Sequence, residues 1–143
     1  MIQTLSLEDL VIEADVIGMA TLKVVNKGKP DKNLGTKVEN TIVISEVWKG
    51  GVKVNSEAVI ETIEGMEDQP IFDPKGKFIV FLKKVPDSER YQTVNLIQGC
   101  WPIDKDGKPM GMGLGTSIEK IKEIIQKTAG QKPKPMEPPK PEF

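Results

Sequence analysis

Apolar and polar positions change their spacing along this chain, and the changes divide it into elements. Leu7, Leu10, Val11 and Ala14 fall on one helical face. Ser6 and Asp9 before them have the spacing of a capping box, and Leu5 and Leu10 that of a hydrophobic staple. A short helix from Leu7 to Ala14 follows. After Asp15 the helical spacing gives way to Val16 to Val25, rich in β-branched and apolar residues on both faces, which predicts a strand partly covered on each side. Asn26 to Gly35 mixes Gly, Pro, Asn and Lys, turn chemistry with little to bury, and predicts a mobile hairpin loop. Val38 to Trp48 returns to strand spacing, but its apolar phase shifts at Val47 and Trp48, as a β-bulge or strong coil would require.

Gly50 and Gly51 make a turn into a third strand, Glu57 to Ile63. Glu64 to Lys77, with Gly65, Pro70, Pro74 and Gly76, is a loop by composition. Phe78 to Leu82 is the most apolar run of the chain and too short for a typical helix. It predicts a strand covered on both faces, at the centre of the core. Tyr91 to Ile97 and Cys100 to Ile103 supply the closing strands, and Asp104 to Gly107 a tight turn. Thr116 and Glu119 offer a second capping box. Ile118, Ile121, Ile124, Ile125 and Thr128 then share one face, with Gly130 as the stop. The fold class expected is mainly β: a five-stranded, OB-like barrel with a short N-terminal helix and a C-terminal amphipathic helix, spanning residues 1–130. Residues 131–143 hold five Pro among Lys and Glu and are expected to form an extended or disordered tail.

Composition narrows the chemistry. The 143 residues carry 20 basic and 21 acidic side chains, so no global field draws in polyanions. Histidine is absent, which removes the usual general base and the commonest metal ligand, and one cysteine can make neither an internal disulfide nor a cysteine-based metal site. An enzyme is not expected, and no cofactor is implied. No run reaches the roughly 18 apolar residues of a membrane span, and the segment from Met1 lacks a signal-peptide layout. The location expected is the cell exterior or envelope if a leader was trimmed, and otherwise the cytoplasm.

Each candidate site has a plainer alternative. Gly111, Gly113 and Gly115 ahead of a helix could face a phosphate, but they match neither a Walker loop nor the dinucleotide fingerprint, and they read as a flexible connector. Asp104, Asp106 and Gly107 begin like a calcium loop whose later ligands are missing, and read as a hairpin. Glu64, Glu67, Asp68 and Asp73 make the long loop acidic, suiting a weak divalent cation site or a basic partner, or simply a solvated loop. Cys100 has no histidine to activate it and reads as a structural thiol. Trp48 and Trp101 are the candidate partner-binding anchors, with core filling as the alternative for each. Lys23, Lys27, Lys29, Lys32 and Lys37 could form a local basic stripe, though aromatics for base stacking are few. The proline-rich tail could be read by an aromatic groove or act as a spacer.

The succession LEDLVIEADVIGMATL, VISEVWKGG, FDPKGKFIVFLKK and LIQGCWPID resembles a group of bacterial proteins with a netrin-like OB barrel, similar to the tissue inhibitors of metalloproteinases. The resemblance runs from about Leu5 to Ile103 and lies in structural positions. It implies the fold and an extracytoplasmic site. The inhibitors' zinc-binding N-terminal cysteine has no counterpart, since Met1 stands there and Cys100 is alone. The expected function is a non-catalytic binding or interaction module whose partner is a protein. Its rivals are a protease inhibitor using barrel-edge loops and a weak single-stranded nucleic-acid binder.

Overall fold

The computed structural model describes residues 3–133; the expectations for the tail beyond Pro133 lie outside them. Helix α1, Leu7–Glu13, opens as the sequence indicates, with Ser6 Oγ accepting the Asp9 N–H at 3.1 Å. Strand β1 runs Val16–Asp31, β2 Gly35–Lys49, β3 Ser56–Glu64, β4 Lys77–Lys84, β5 Tyr91–Thr93 and β6 Cys100–Pro102, and helix α2 spans Ile118–Lys127. The strands form one six-stranded mixed sheet in the order β1-β2-β3-β5-β4-β6. An additional β1–β4 pairing brings five of them round into a near-ring.

Bulges supply the coil that this curvature needs. Ile17 pairs with Lys49 and Gly18 with Val47, leaving Trp48 as the extra residue, and a second shift leaves Ser45 extra between Glu46 and Ile44. Gly18 is required there, because a Cβ would lie 2.0 Å from the Glu46 carbonyl oxygen. β5 and β6 lie along the same edge of β4, Thr93 opposite Leu82 and Cys100 opposite Val80, so they act as one interrupted strand. The ring's seam is thin: β3 meets β5 in a single parallel pair, Ile60 with Tyr91.

β4 is the wall between two cores. Phe78, Val80 and Leu82 face the ring interior with Ile42, Ile44, Ile60 and Phe72, while Ile79 and Phe81 face outward under the helices with Leu10, Val11, Trp101 and Ile121. The expected burial on both faces is therefore met. At about 25 cal/mol per Å² of apolar surface, each large side chain fully buried here contributes roughly 1.5–3 kcal/mol.

Three sequence expectations are corrected. Asn26 to Gly35 is not a mobile loop: β1 continues to Asp31 and β2 begins at Gly35, with only a tight turn between. β1 faces β4 only up to Thr21, so beyond it Pro30 lies on an edge, where its missing N–H costs no ladder bond. Tyr91 to Ile97 is a strand only to Thr93, because Asn95 and Leu96 take positive φ and lead into a 3₁₀ turn, Leu96–Gly99. The second helix is capped by Ser117, whose Oγ accepts the Lys120 N–H, rather than by Thr116.

Several buried or partly buried polar groups are matched with partners, Trp48 Nε1 and Arg90 Nε being exceptions among the described residues. Gln98 bonds both the N–H and the C=O of Leu5, at 2.9 and 2.8 Å, tying the N-terminal segment to the 3₁₀ turn as a neighbouring strand would. Lys49 Nζ donates to the Val11 and Ile12 carbonyls at the end of α1, where a helix leaves such acceptors unpaired. Asn40, facing the ring interior, donates to Ile60 O and Thr62 Oγ1.

Candidate functional site

A groove of about 530 Å³ lies at the hairpin end of the sheet, between the tip of β1–β2, the end of β3, the loop after it and β5. The β2 pattern sets its floor. Val38, Asn40 and Ile42 point into the ring, so Lys37 has the outward phase, and on β3 the same alternation turns Glu61 and Ile63 outward. Past the Ile60–Tyr91 pair, Glu61 to Ile63 and Gln92 to Thr93 flank the groove as diverging strands. The Ile63 N–H, at the open edge, is taken up by the Gln69 side-chain oxygen at 3.0 Å.

The groove's apolar side comes from three separate elements: Leu34 of the turn, Ile63 of β3 and Leu96 of the 3₁₀ turn. Leu34 is 70% exposed, on a turn whose backbone is tied by hydrogen bonds. The Asp31 carboxylate accepts the N–H groups of Asn33 and Leu34 at 2.8 and 3.1 Å, and Gly35 at φ +78° fits tightly against the main chain of Glu64.

The charges lining the groove are unequally satisfied. Asp31 is occupied with the turn. Glu61, with its side chain only 15% exposed, holds Lys37 at 3.2 Å and stands 3.8 Å from Arg90 Nε. Arg90 in turn bonds Glu39 at 2.8 Å. Lys29 makes no ion pair among the described residues, and the four charged lining residues, Lys29, Lys37, Asp31 and Glu61, balance formally.

The sequence candidates lie elsewhere. Trp101 is 2% exposed, stacked at 4.8 Å on Phe81 and donating Nε1–H to Gln98 O at 2.6 Å, so its ring serves the core. Trp48 is partly exposed at the edge of the same helical cluster, its Nε1 buried without a partner among the described residues and the Lys122 ammonium 5.5 Å over its ring. It sits at the opposite end of β2 from the groove, so the two tryptophans share a cluster but neither joins this site. Of the lysine stripe, Lys23 pairs with Glu57, Lys27 with Glu64 and Lys37 with Glu61, which neutralises most of it.

Asp104 accepts the N–H groups of Asp106 and Lys108, spending its carboxylate on a hairpin closed by the Ile103–Pro109 bridge. Gly113 lies against the Trp101 ring, where a Cβ would come within 2.3 Å, so part of the Gly-rich connector is packed. Among the described residues no group of three or more acidic or cysteine side chains is placed to hold a metal ion. The Asp68 carbonyl instead accepts the Ile97 N–H at 2.8 Å, tying the acidic loop to the 3₁₀ turn. Cys100 is buried and its thiol is pushed up to about 12 by desolvation, which removes it as a nucleophile near neutral pH.

Leu34, Ile63 and Leu96 went unmarked in the sequence because each ends or interrupts an element. The available signal was a lone leucine inside a polar turn. No helix among the described residues is long and apolar enough to cross a membrane. Neither a protein-family model nor a curated protein matches the chain.

Proposed function

We propose that this chain is a non-catalytic interaction module built on a netrin-like OB barrel, and that the groove at its hairpin end receives a protein partner. The observation that carries the reading is the convergence of Leu34, Ile63 and Leu96 from three elements onto one groove, with Leu34 exposed on a hydrogen-bonded turn. A leucine at such exposure leaves apolar surface in water that an occupant would cover. Support for the barrel comes from the ring order β1-β2-β3-β5-β4 returning to β1, from the β2 bulges and from the helices covering the outer face of β4. OB barrels bind ligands on the face of their second and third strands, beside the loop joining the first two, and a groove lined by the β1–β2 turn and the end of β3 supports the same reading here. That correspondence is by fold analogy. The extracytoplasmic site implied by the family resemblance belongs to the same proposal.

Single-stranded nucleic acid is the weaker occupant, because Lys23, Lys27 and Lys37 face carboxylates on β3 and none of the lining residues is aromatic. Trp48 stands as a separate candidate contact on the helical face, where its unpartnered N–H could meet an acceptor.

Selection of a random displayed-peptide library on the full chain, followed by amide chemical-shift mapping of the recovered sequences, tests the reading. Shifts centred on Leu34, Ile63 and Leu96, lost in Leu34→Asp, are expected. Ligands that map consistently to another face would overturn it.

A further inference from the structure

Resting on that reading, we infer that the groove has an occupant within the chain itself: the proline-rich segment 134–143 seats there in cis, and a partner must displace it. The segment begins where the described residues end, at Pro133. A second cavity, of about 560 Å³, is lined by Gln131 and Lys132, and its wall continues through Gln92, Thr93 and Leu96, which line the groove as well. Pro133 therefore stands at the entrance to a trough that leads past Leu96 toward Ile63 and Leu34. Ten residues in a polyproline II helix reach about 31 Å. The tip of β2 lies two strands from β5, roughly 10 Å where strands are paired, so the segment is long enough to cross the groove.

The segment's own pattern fits such a seat. At three residues per turn, Pro135, Pro138 and Pro141 fall on one line, Pro133, Met136 and Pro139 on a second, and Lys134, Glu137 and Lys140 on the third. Two of the three faces are apolar and match Leu34, Ile63 and Leu96, while the charged face is left for solvent.

The walls favour an occupant with few backbone donors. The Ile63 N–H bonds Gln69, the Ile63 carbonyl accepts the Met66 N–H at 3.3 Å, and the Leu96 carbonyl accepts the Thr93 hydroxyl at 2.8 Å. A strand with an N–H at every residue would bury donors against groups already paired, whereas Pro135, Pro138, Pro139 and Pro141 bring none. Charge sets no barrier. Lys134 and Lys140 balance Glu137 and Glu142 in the segment, as Lys29 and Lys37 balance Asp31 and Glu61 in the groove.

The test uses the full chain. A nitroxide attached at Glu142→Cys, with Cys100 buried away from the reagent, should broaden the amides of Leu34, Ile63 and Leu96. Met136→Asp should abolish that broadening and shift the same amides. Mixing spin-labelled copies with isotope-labelled copies that carry no nitroxide should give no broadening, as expected of a contact within one chain. A tethered segment has an effective concentration of a few millimolar, and against a dissociation constant near 1 mM it would close about three-quarters of the grooves. Met136→Asp should therefore bind library-selected groove peptides about fourfold more tightly than the unaltered chain.

Broadening centred on another face, groove amides unmoved by Met136→Asp, or broadening carried between copies would each overturn the inference. If Met136→Asp leaves the groove unchanged while selected peptides still map to Leu34, Ile63 and Leu96, the inference falls and the groove stands as the partner site. If the segment seats there but no added ligand binds even Met136→Asp, the inference holds and the partner reading falls.

Discussion

Replacing Gly35 with alanine puts the close fit of the hairpin tip to a quantitative test, with Gly107→Ala as its internal reference. Both glycines have positive φ, +78° and +80°. A Cβ at 107 meets nothing within 4 Å, so that substitution costs only the left-handed backbone, about 1 kcal/mol. A Cβ at 35 would lie 2.5 Å from the Glu64 carbonyl oxygen and 2.9 Å from Ile63 Cγ2. The first of these is main chain in a paired strand and cannot rotate away. Relief requires the turn to lift, at the expense of one or two ladder hydrogen bonds worth about 1 kcal/mol each, for a total near 3 kcal/mol. At roughly 2–4 °C per kcal/mol for a domain of this size, melting followed by circular dichroism should fall by about 6–12 °C for Gly35→Ala and about 2–4 °C for Gly107→Ala. The lifted turn carries Leu34 with it, so Gly35→Ala should also weaken groove ligands while Gly107→Ala leaves them unchanged. Equal losses of stability in the two variants would refute the close-approach argument.

Other outcomes follow from the packing. Gln98→Ala deletes both hydrogen bonds to Leu5 and should cost about 2 kcal/mol, read by urea unfolding, with faster amide exchange confined first to α1. In single-tryptophan variants, acrylamide should quench Trp48 well and Trp101 hardly at all. The two shifted groups act in opposite senses at alkaline pH. Burial lowers the Lys49 ammonium from 10.5, so as pH rises past its folded value the unfolded chain holds the extra proton, and stability from this group rises up to pH 10.5. Cys100 is raised from 9.0 to about 12, so above pH 9.0 the unfolded chain has lost a proton that the folded one keeps, and stability falls. Unfolding free energies from neutrality to pH 10.5, with Lys49→Met and Cys100→Ala as references, should show the two slopes with these signs.

The strongest periodic signals in the sequence match the structure. Phe78 to Leu82 is the doubly covered strand, the phase shift at Val47 and Trp48 is a bulge, and Ser6 with Asp9 caps the first helix. The misreadings share a cause: local composition speaks for itself only where no distant partner intervenes. Gly28 and Pro30 spell a loop, but pairing across the hairpin with Lys27–Val38 and Pro30–Thr36 holds them in a strand. Tyr91 to Ile97 has strand propensity, yet the Thr93 hydroxyl bonds Leu96 O and the chain turns. The groove was illegible for the same reason, being made from a turn, a strand end and a 3₁₀ turn that only the closing of the ring brings together.

Because β4 is lined on one side by the ring core and on the other by the helical core, neither core can be dismantled while the other stays whole. Stripping away the helices would leave Ile79 and Phe81 bare on a strand still paired to its neighbours, the kind of surface that sticks to its own copies. The two layers therefore stand or fall as one cooperative unit, and the positions with least to disturb in either are those remote from β4, in the hairpin and the loops around the groove.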